Sequence, residues 1–370
     1  MNVRTLLLPL TPLYRLALAL RERRLATGRE PARRLRHPVF SIGNLSTGGT
    51  GKTPFTIALA QALTARGFSV DVLSRGYGRS SRAAARVRPE GTAEEFGDEP
   101  LLIARRAGVP VYVAPERHDA GVLAEQASQS ASISDFQAQS SQGLKPESLL
   151  SSLCGATEVA PLRALPVRSP FSGASSAPEG SPAIHILDDG FQHRQLHRDI
   201  DIVLLNRADW HDRLLPAGNL REPLASIRRA HILAIPATEP GLEAELRAWG
   251  WTGPLWFLHR RMEIPPIDGP VLAFCGIARP DQFFEGLQSA GVPLAARRAF
   301  PDHHRYTSHD LDRLTSRARA AGAVALLTTE KDAIRLAPLQ SSLPVLIATL
   351  RTEIEDQPAA LDWLIGRLPR

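Results

Sequence analysis

The chain has 370 residues, 43% of them hydrophobic, which excludes a disordered chain and allows one large domain or two medium ones. Its formal charge of +6 is carried by arginine, because lysine occurs only at positions 52, 145 and 331. A basic balance of this kind suits nucleotides, phosphosugars or phospholipid head groups, but the arginines are scattered with no aromatic-interleaved basic strand, so nucleic acid is not an expected partner.

Residues 1–20 are apolar but interrupted by Arg4, Pro9, Pro12 and Arg15. No run reaches the roughly 20 apolar residues of a spanning helix, and no small-residue cleavage site follows. From Thr11, an N-cap followed by Pro12, the residues Leu13, Leu16, Ala17 and Leu20 fall on one helical face, with Arg15, Arg21, Glu22, Arg23 and Arg24 at its side and end. The pattern reads either as a helix in the interface of an anionic bilayer or as a packed surface helix. Residues 1–36 are taken as this helix and a basic linker.

Residues 38–42 are a short apolar run ended by Gly43-Asn44, a buried strand. Helical periodicity over 53–66 closes at Gly67, and 69–74 reads as a second strand. Strand, loop, helix, strand is the opening of a doubly wound α/β domain with a parallel sheet, expected over 37–255 with further strands at 109–114, 183–187 and 200–205. Within it, residues 126–182 are rich in Ser, Gln, Ala and Pro. They are expected to form a disordered or loosely packed surface insertion, or a small subdomain in which Leu149, Leu150 and Leu153 make an apolar turn. Gly and Pro density rises over 249–267, and a second, smaller α/β domain is expected over 266–370, with strands at 271–275, 294–298, 323–328 and 343–348. Cys154 and Cys275 stand apart without metal spacing, which argues against a disulfide framework or structural zinc and for a reducing compartment.

Ser46-Thr47-Gly48-Gly49-Thr50-Gly51-Lys52-Thr53 stands between the first strand and its helix, the context that makes a phosphate loop credible. Its glycines let backbone N–H groups cup phosphate oxygens, Lys52 reaches the β and γ phosphates, and the Thr53 hydroxyl ligates Mg²⁺. Ser46 stands where the strict motif has glycine. Asp188-Asp189-Gly190 ends an apolar strand, either as Mg²⁺ ligands at the sheet's C-terminal edge or as an exposed turn. No guanine-reading Asn-Lys-x-Asp element occurs, and Thr329-Glu330-Lys331-Asp332 has the wrong order for one, so ATP is the expected nucleotide. A phosphate loop alone also fits an ATPase switch or a metallochaperone, although the latter would want Cys or His clusters.

Around these motifs stand Ser74-Arg75-Gly76-Tyr77-Gly78, Gly97-Asp98-Glu99-Pro100, Asp188-Asp189-Gly190-Phe191-Gln192-His193 and Leu215-Pro216-Ala217-Gly218-Asn219-Leu220-Arg221-Glu222-Pro223. Phe274-Cys275-Gly276-Ile277-Ala278-Arg279-Pro280, Pro301-Asp302-His303-His304 and Thr328-Thr329-Glu330-Lys331-Asp332 follow. In content and order these blocks resemble the tetraacyldisaccharide 4′-kinases of lipid A biosynthesis, over nearly the whole chain except 126–182, which looks like an insertion. The resemblance implies transfer of the ATP γ-phosphoryl group, with Mg²⁺, to the 4′-hydroxyl of an acylated glucosamine disaccharide 1-phosphate at the cytoplasmic face of the inner membrane; a monomer is the expected state, with the sequence leaving oligomerisation open. It further implies Asp98 as base or hydroxyl-orienting carboxylate helped by His303, and Glu99, Asp188, Asp189 and Glu222 as the acidic metal neighbourhood. The chemistry agrees, since a sugar hydroxyl needs a carboxylate to orient it and accept its proton as a loose phosphoryl transition state forms. On the residues alone, Glu99 and Glu222 would be solvated surface acids and His303 a surface histidine.

Overall fold

The computed structural model describes residues 3–28, 30–141 and 182–368. A 3-10 turn, Val3–Leu10, leads into α1 (Thr11–Ala26), followed by β1 (Val39–Asn44), α2 (Lys52–Ala65), β2 (Ser69–Ser74), β3 (Ala85–Arg86), α3 (Ala93–Phe96), α4 (Asp98–Ala107), β4 (Val111–Val113) and α5 (Arg117–Ser141). Next come β5 (Ala183–Asp188), β6 (Ile200–Leu204), α6 (Arg207–Trp210), β7 (Ile232–Pro236), α7 (Pro240–Ala248) and β8 (Leu255–Glu263). The remainder is β9 (Val271–Cys275), α8 (Pro280–Ser289), β10 (Leu294–Ala299), α9 (Ser308–Ala320), β11 (Ala325–Thr329), α10 (Glu330–Leu336), β12 (Val345–Ile354) and α11 (Gln357–Ile365). The fold is α/β and doubly wound, as expected. β1 is buried at all six positions, the signature of a parallel strand covered by helices on both faces.

All twelve strands share one sheet in the order β10-β9-β11-β12-β8-β7-β6-β1-β5-β2-β4-β3. The ladders on either side of the β12–β8 pair are parallel, apart from the edge strand β3, and β12 meets β8 antiparallel. Both middle strands are long. The first half of β8 pairs with β7 up to Leu258↔Pro236, while its second half pairs with β12 from Leu258↔Ile354 to Glu263↔Thr349. The first half of β12 then pairs with β11. The second parallel sheet therefore sits beyond the C-terminal edge of the first and points back at it. At about 3.3 Å per residue the two-stranded ribbon between them is roughly 20 Å long.

β8 occupies the Gly- and Pro-rich stretch read from sequence as a domain boundary, and β7 lies where no strand was expected. The exposed His259, Arg260 and Arg261 hide the strand character of β8, because a two-stranded ribbon has little apolar surface to bury. After the ribbon, α11 returns to the first lobe, where Leu361 and Leu364 join the core of Phe40, Phe55 and Leu63. Residues 126–141 continue α5 rather than forming loose chain. The remainder of the expected insertion, with Leu149, Leu150, Leu153 and Cys154, lies outside the described residues.

α1 docks by its Tyr14–Leu18 face. Both side chains pack on the cluster of Leu45, Phe191 and Leu220, and the Tyr14 hydroxyl donates to the Arg221 carbonyl at 2.9 Å. Glu22 pairs with Arg194. The face read from sequence as apolar points outward, with Leu13, Leu16 and Leu20 at 64%, 57% and 50% exposure. Among the described residues no helix is long and apolar enough to cross a membrane.

Near the opposite end of β5 from its C-terminal acids, His185 is buried between two carboxylates, 2.6 Å from Asp71 on β2 and 3.5 Å from Glu125 on α5. Glu125 also accepts the backbone N–H groups of Arg36 and His37, which fastens the linker after α1 to the sheet. Burial by itself would lower the imidazole, but Asp71 and Glu125 outweigh it and push His185 up to about 9 from 6.5. Its contribution to stability is thus complete below pH 6.5 and is lost as pH rises through about 9. His185→Leu should cost about 3–5 kcal/mol at neutral pH by leaving both carboxylates unpaired. Urea titrations at several pH values should find the wild-type decline between pH 6.5 and 9 flattened in the variant; an unchanged slope would assign it elsewhere.

Candidate active site

The phosphate loop leaves the buried end of β1 and closes on the N-terminus of α2. Gly51 caps that helix with a left-handed backbone, φ 81°. A side chain here would also press on the guanidinium of Arg260 from β8, which donates to the Thr50 carbonyl. The Thr50 hydroxyl is buried and has no hydrogen-bond partner among the described residues. The first part of the loop is tied to the body instead. Asn44 Nδ2 donates to the Ser46 carbonyl at 3.0 Å, and the Thr47 N–H is taken by the Asn219 carbonyl at 2.8 Å. The turn from Gly48 to Thr53 is thus the part whose donors suit a phosphate.

Lys52 Nζ donates to Asn44 Oδ1 at 2.9 Å and stands 3.4 Å from Asp189. Arg221 grips both oxygens of Asp189, at 3.0 and 2.9 Å, and also reaches Asn44 Oδ1. Burial would raise the Asp189 carboxyl, but Lys52 and Arg221 together hold it well below the usual carboxylate range. Its neighbour is treated oppositely. Asp188 is buried and, among the described residues, receives only the hydroxyls of Thr56 at 3.4 Å and Ser74 at 3.3 Å. Burial, and then Glu99 and Asp189, push its carboxyl upward.

Asp98 opens α4 and is buried, with His303 Nδ1 3.2 Å and Arg335 Nε 3.1 Å from its Oδ2. Burial would raise its carboxyl, yet His303, Arg335 and Lys331 hold it far below the usual range. The bond to Asp98 raises His303 in turn. Asp98 belongs to the first lobe and His303 to the second, so the two meet across the cleft. Lys331 likewise pairs with Glu99, and Glu330 with Arg106. Asp189 and His303 are the two non-glycine residues with positive φ among the described residues, at 49° and 57°. Strain of this kind, of order 1–3 kcal/mol each, persists where surrounding structure over-determines the backbone.

The predicted metal residues separate into two groups. Glu222 is buried against Arg229, Asp189 is held by Lys52 and Arg221, and Glu99 is paired with Lys331. Glu222 thus has Arg229 as its charge partner. Among the described residues Asp188 has no cationic hydrogen-bond partner, and with Thr53, also buried, it offers the oxygen donors that Mg²⁺ prefers. Among the described residues no cluster of three His, Cys, Asp or Glu side chains could hold a metal alone. Mg²⁺ is commonly bound by one or two carboxylates and completed by phosphate and water.

The family described as tetraacyldisaccharide-1-P 4′-kinase matches residues 3–145 and 148–369. This chain belongs to that family. The two matched spans meet inside residues 126–182. A tetraacyldisaccharide 4′-kinase of Koribacter versatilis is 36% identical over 98% of both chains. Another, from an Anaeromyxobacter species, is 39% identical over 84% of this chain and 76% of its own. The crystal structure of Aquifex aeolicus LpxK in complex with ATP is 30% identical, with a TM-score of 0.69 and full coverage of both chains.

Sequence reasoning assigned no site role to Asn44, Arg221, Lys331 or Arg335. A signal existed for Lys331, one of three lysines in an arginine-rich chain. Arg335 carried none, since one arginine among so many is anonymous until the fold aims it at Asp98. Gly97, immediately before Asp98, has φ 89°, and a Cβ there would meet the Tyr77 carbonyl at 2.9 Å. Gly97→Ala should therefore shift Asp98 by a few tenths of an ångström and lower kcat by about 10-fold or more, with the KM for ATP changed little. Steady-state kinetics at varied ATP test this; a change confined to KM would contradict it.

Proposed function

We propose that the chain transfers the γ-phosphoryl group of ATP to the 4′-hydroxyl of tetraacyldisaccharide 1-phosphate. The observation that carries the reading is the convergence of a phosphate loop from one lobe with an Asp98–His303 pair that spans both. The N–H groups from Gly48 to Thr53 bind the phosphates, and Lys52, now bonded to Asn44 and Asp189, extends to the terminal ones. Asp188 and Thr53 would hold Mg²⁺, which neutralises charge on the phosphates when bound. Asp98 orients the acceptor hydroxyl, and the Asp98–His303 pair takes its proton as the phosphoryl group departs. Lobe closure around ATP excludes water and limits hydrolysis. Every residue in this scheme comes from one chain, so the reading needs a single copy.

With γ-labelled ATP and the acylated disaccharide 1-phosphate, label should appear in a bisphosphorylated lipid. Asp98→Ala should lower kcat by about 10²–10⁴-fold with little change in the KM for ATP. Steady ATP turnover without labelled lipid would favour an ATPase switch.

The acceptor's acyl chains keep it in a bilayer, and the outward leucines of α1 with Arg15, Arg23 and Arg24 suit an anionic membrane surface at its cytoplasmic face. Replacing Leu13, Leu16 and Leu20 together by Ser spares the Tyr14–Leu18 docking face. It should weaken co-sedimentation with anionic vesicles by at least about 10²-fold, because each leucine is worth about 1.5 kcal/mol or more when buried. Unaltered sedimentation would leave α1 as a surface helix only.

A further inference from the structure

The environment of Asp98 contains a third member. Arg335, on α10 of the second lobe, is itself buried and has its guanidinium divided between two tasks. Nε and Nη2 both donate to Asp98 Oδ2, the oxygen that also faces His303. Nη1 donates to the Gly276 carbonyl at 2.9 Å and to Asp332 Oδ1 at 3.1 Å. Asp332 has no solvent exposure and is fixed in turn by the Tyr306 hydroxyl at 2.9 Å, the Gly276 N–H at 3.0 Å and the Thr329 hydroxyl at 2.6 Å. The guanidinium is thus anchored on one side by groups that cannot move and presses on Asp98 from the other.

We infer that Arg335 is a positioning residue for phosphoryl transfer: anchored by Asp332 and Gly276, it holds Oδ2 of Asp98 so that Oδ1 alone faces the acceptor hydroxyl. This rests on reading the chain as a lipid kinase. The hydrogen bonds to Asp98 from described residues all end on Oδ2, and none reaches Oδ1. With two guanidinium N–H groups on one oxygen and an imidazole beside it, the carboxylate can neither rotate nor exchange its two oxygens. A near-attack geometry depends on such fixation, and a misplacement of about 1 Å can lower the rate by about 10²-fold. A lysine could supply the charge but not the fork, because its ammonium has no rigid plane with which to hold Asp98 and Asp332 at once. Arg335 also makes the acceptor site conditional on the lobes being together, since it arrives from the side of the cleft opposite Asp98.

The test uses the full-length enzyme and the lipid phosphorylation assay. Arg335→Ala should lower kcat by about 10²-fold while the KM for ATP stays within about twofold, and added guanidinium should restore at least about tenfold of the loss. Arg335→Lys should keep the wild-type Tm and ATP affinity yet remain about tenfold or more down in kcat. Wild-type kcat in either variant overturns the inference, as does a loss of ATP affinity equal to the loss of kcat. If Arg335→Ala does not fold, the lysine variant decides by the same criteria; failure of both to fold would assign Arg335 to lobe stability and overturn the proposal. An inactive wild-type enzyme in the same assay would sink the lipid-kinase reading instead, so the two failures are distinguishable.

Discussion

The arrangement of this molecule depends on one strand pairing, the antiparallel ribbon of β8 and β12. Ligands of open parallel sheets bind outside the C-terminal ends of the strands, where loops and helix N-termini gather donors and acids. One sheet offers one such edge. Because β8 carries the chain out of the first sheet and β12 brings it back, the second parallel sheet is turned end over end and presents its C-terminal edge to the first. The phosphate loop, Ser74 and Asp188 stand on one side, and Gly276, His303, Asp332 and Arg335 on the other. Two ordinary edges then make a site with nucleotide chemistry on one wall and acceptor chemistry on both.

Placing two such edges face to face creates an electrostatic problem, which the sequence solves by exchanging charges across the cleft. Asp98, Glu99 and Arg106 of α4 meet Arg335, Lys331 and Glu330 of α10. Isolated surface ion pairs contribute little, but the Asp98–Arg335 pair is buried, and removing one member would strand the other. The pairs therefore specify how the lobes meet more than how tightly. They also explain why one short block, Thr329 to Asp332, combines an N-cap, an acid and a rare lysine: Thr329 caps α10 by accepting the Asp332 N–H, which aims Lys331 and Arg335 at α4.

Much of the first lobe was legible in the sequence because its central strands are buried on both faces and read as mostly apolar runs. The phosphate loop was legible because strand, glycines, lysine and helix stand in fixed order. The ribbon was not, since the half of β8 that pairs with β12 is mostly charged and rests on a partner about ninety positions away. The same limit applied to the site. Asp98 and His303 were named only through resemblance, and nothing in a linear reading reveals that Arg229, seven positions on, is the charge partner of Glu222. Ion pairs formed by folding decide which acids remain available, and a sequence lists acids without their partners.

The two adjacent carboxylates at the end of β5 show how finely such partners divide labour. Asp189 turns into the left-handed region, which takes its side chain toward Lys52 and Arg221, and there it stays ionised as the counter-charge that holds Lys52 beside the loop. Asp188 keeps strand geometry and remains in the interior with two hydroxyls, where a full negative charge is unfavourable until something positive arrives. Neighbours of identical chemistry thus sit in opposite surroundings, one braced by cations and one among hydroxyls. An unstrained turn that left both carboxylates facing inward would set two like charges together, and neither could then stay ionised without help.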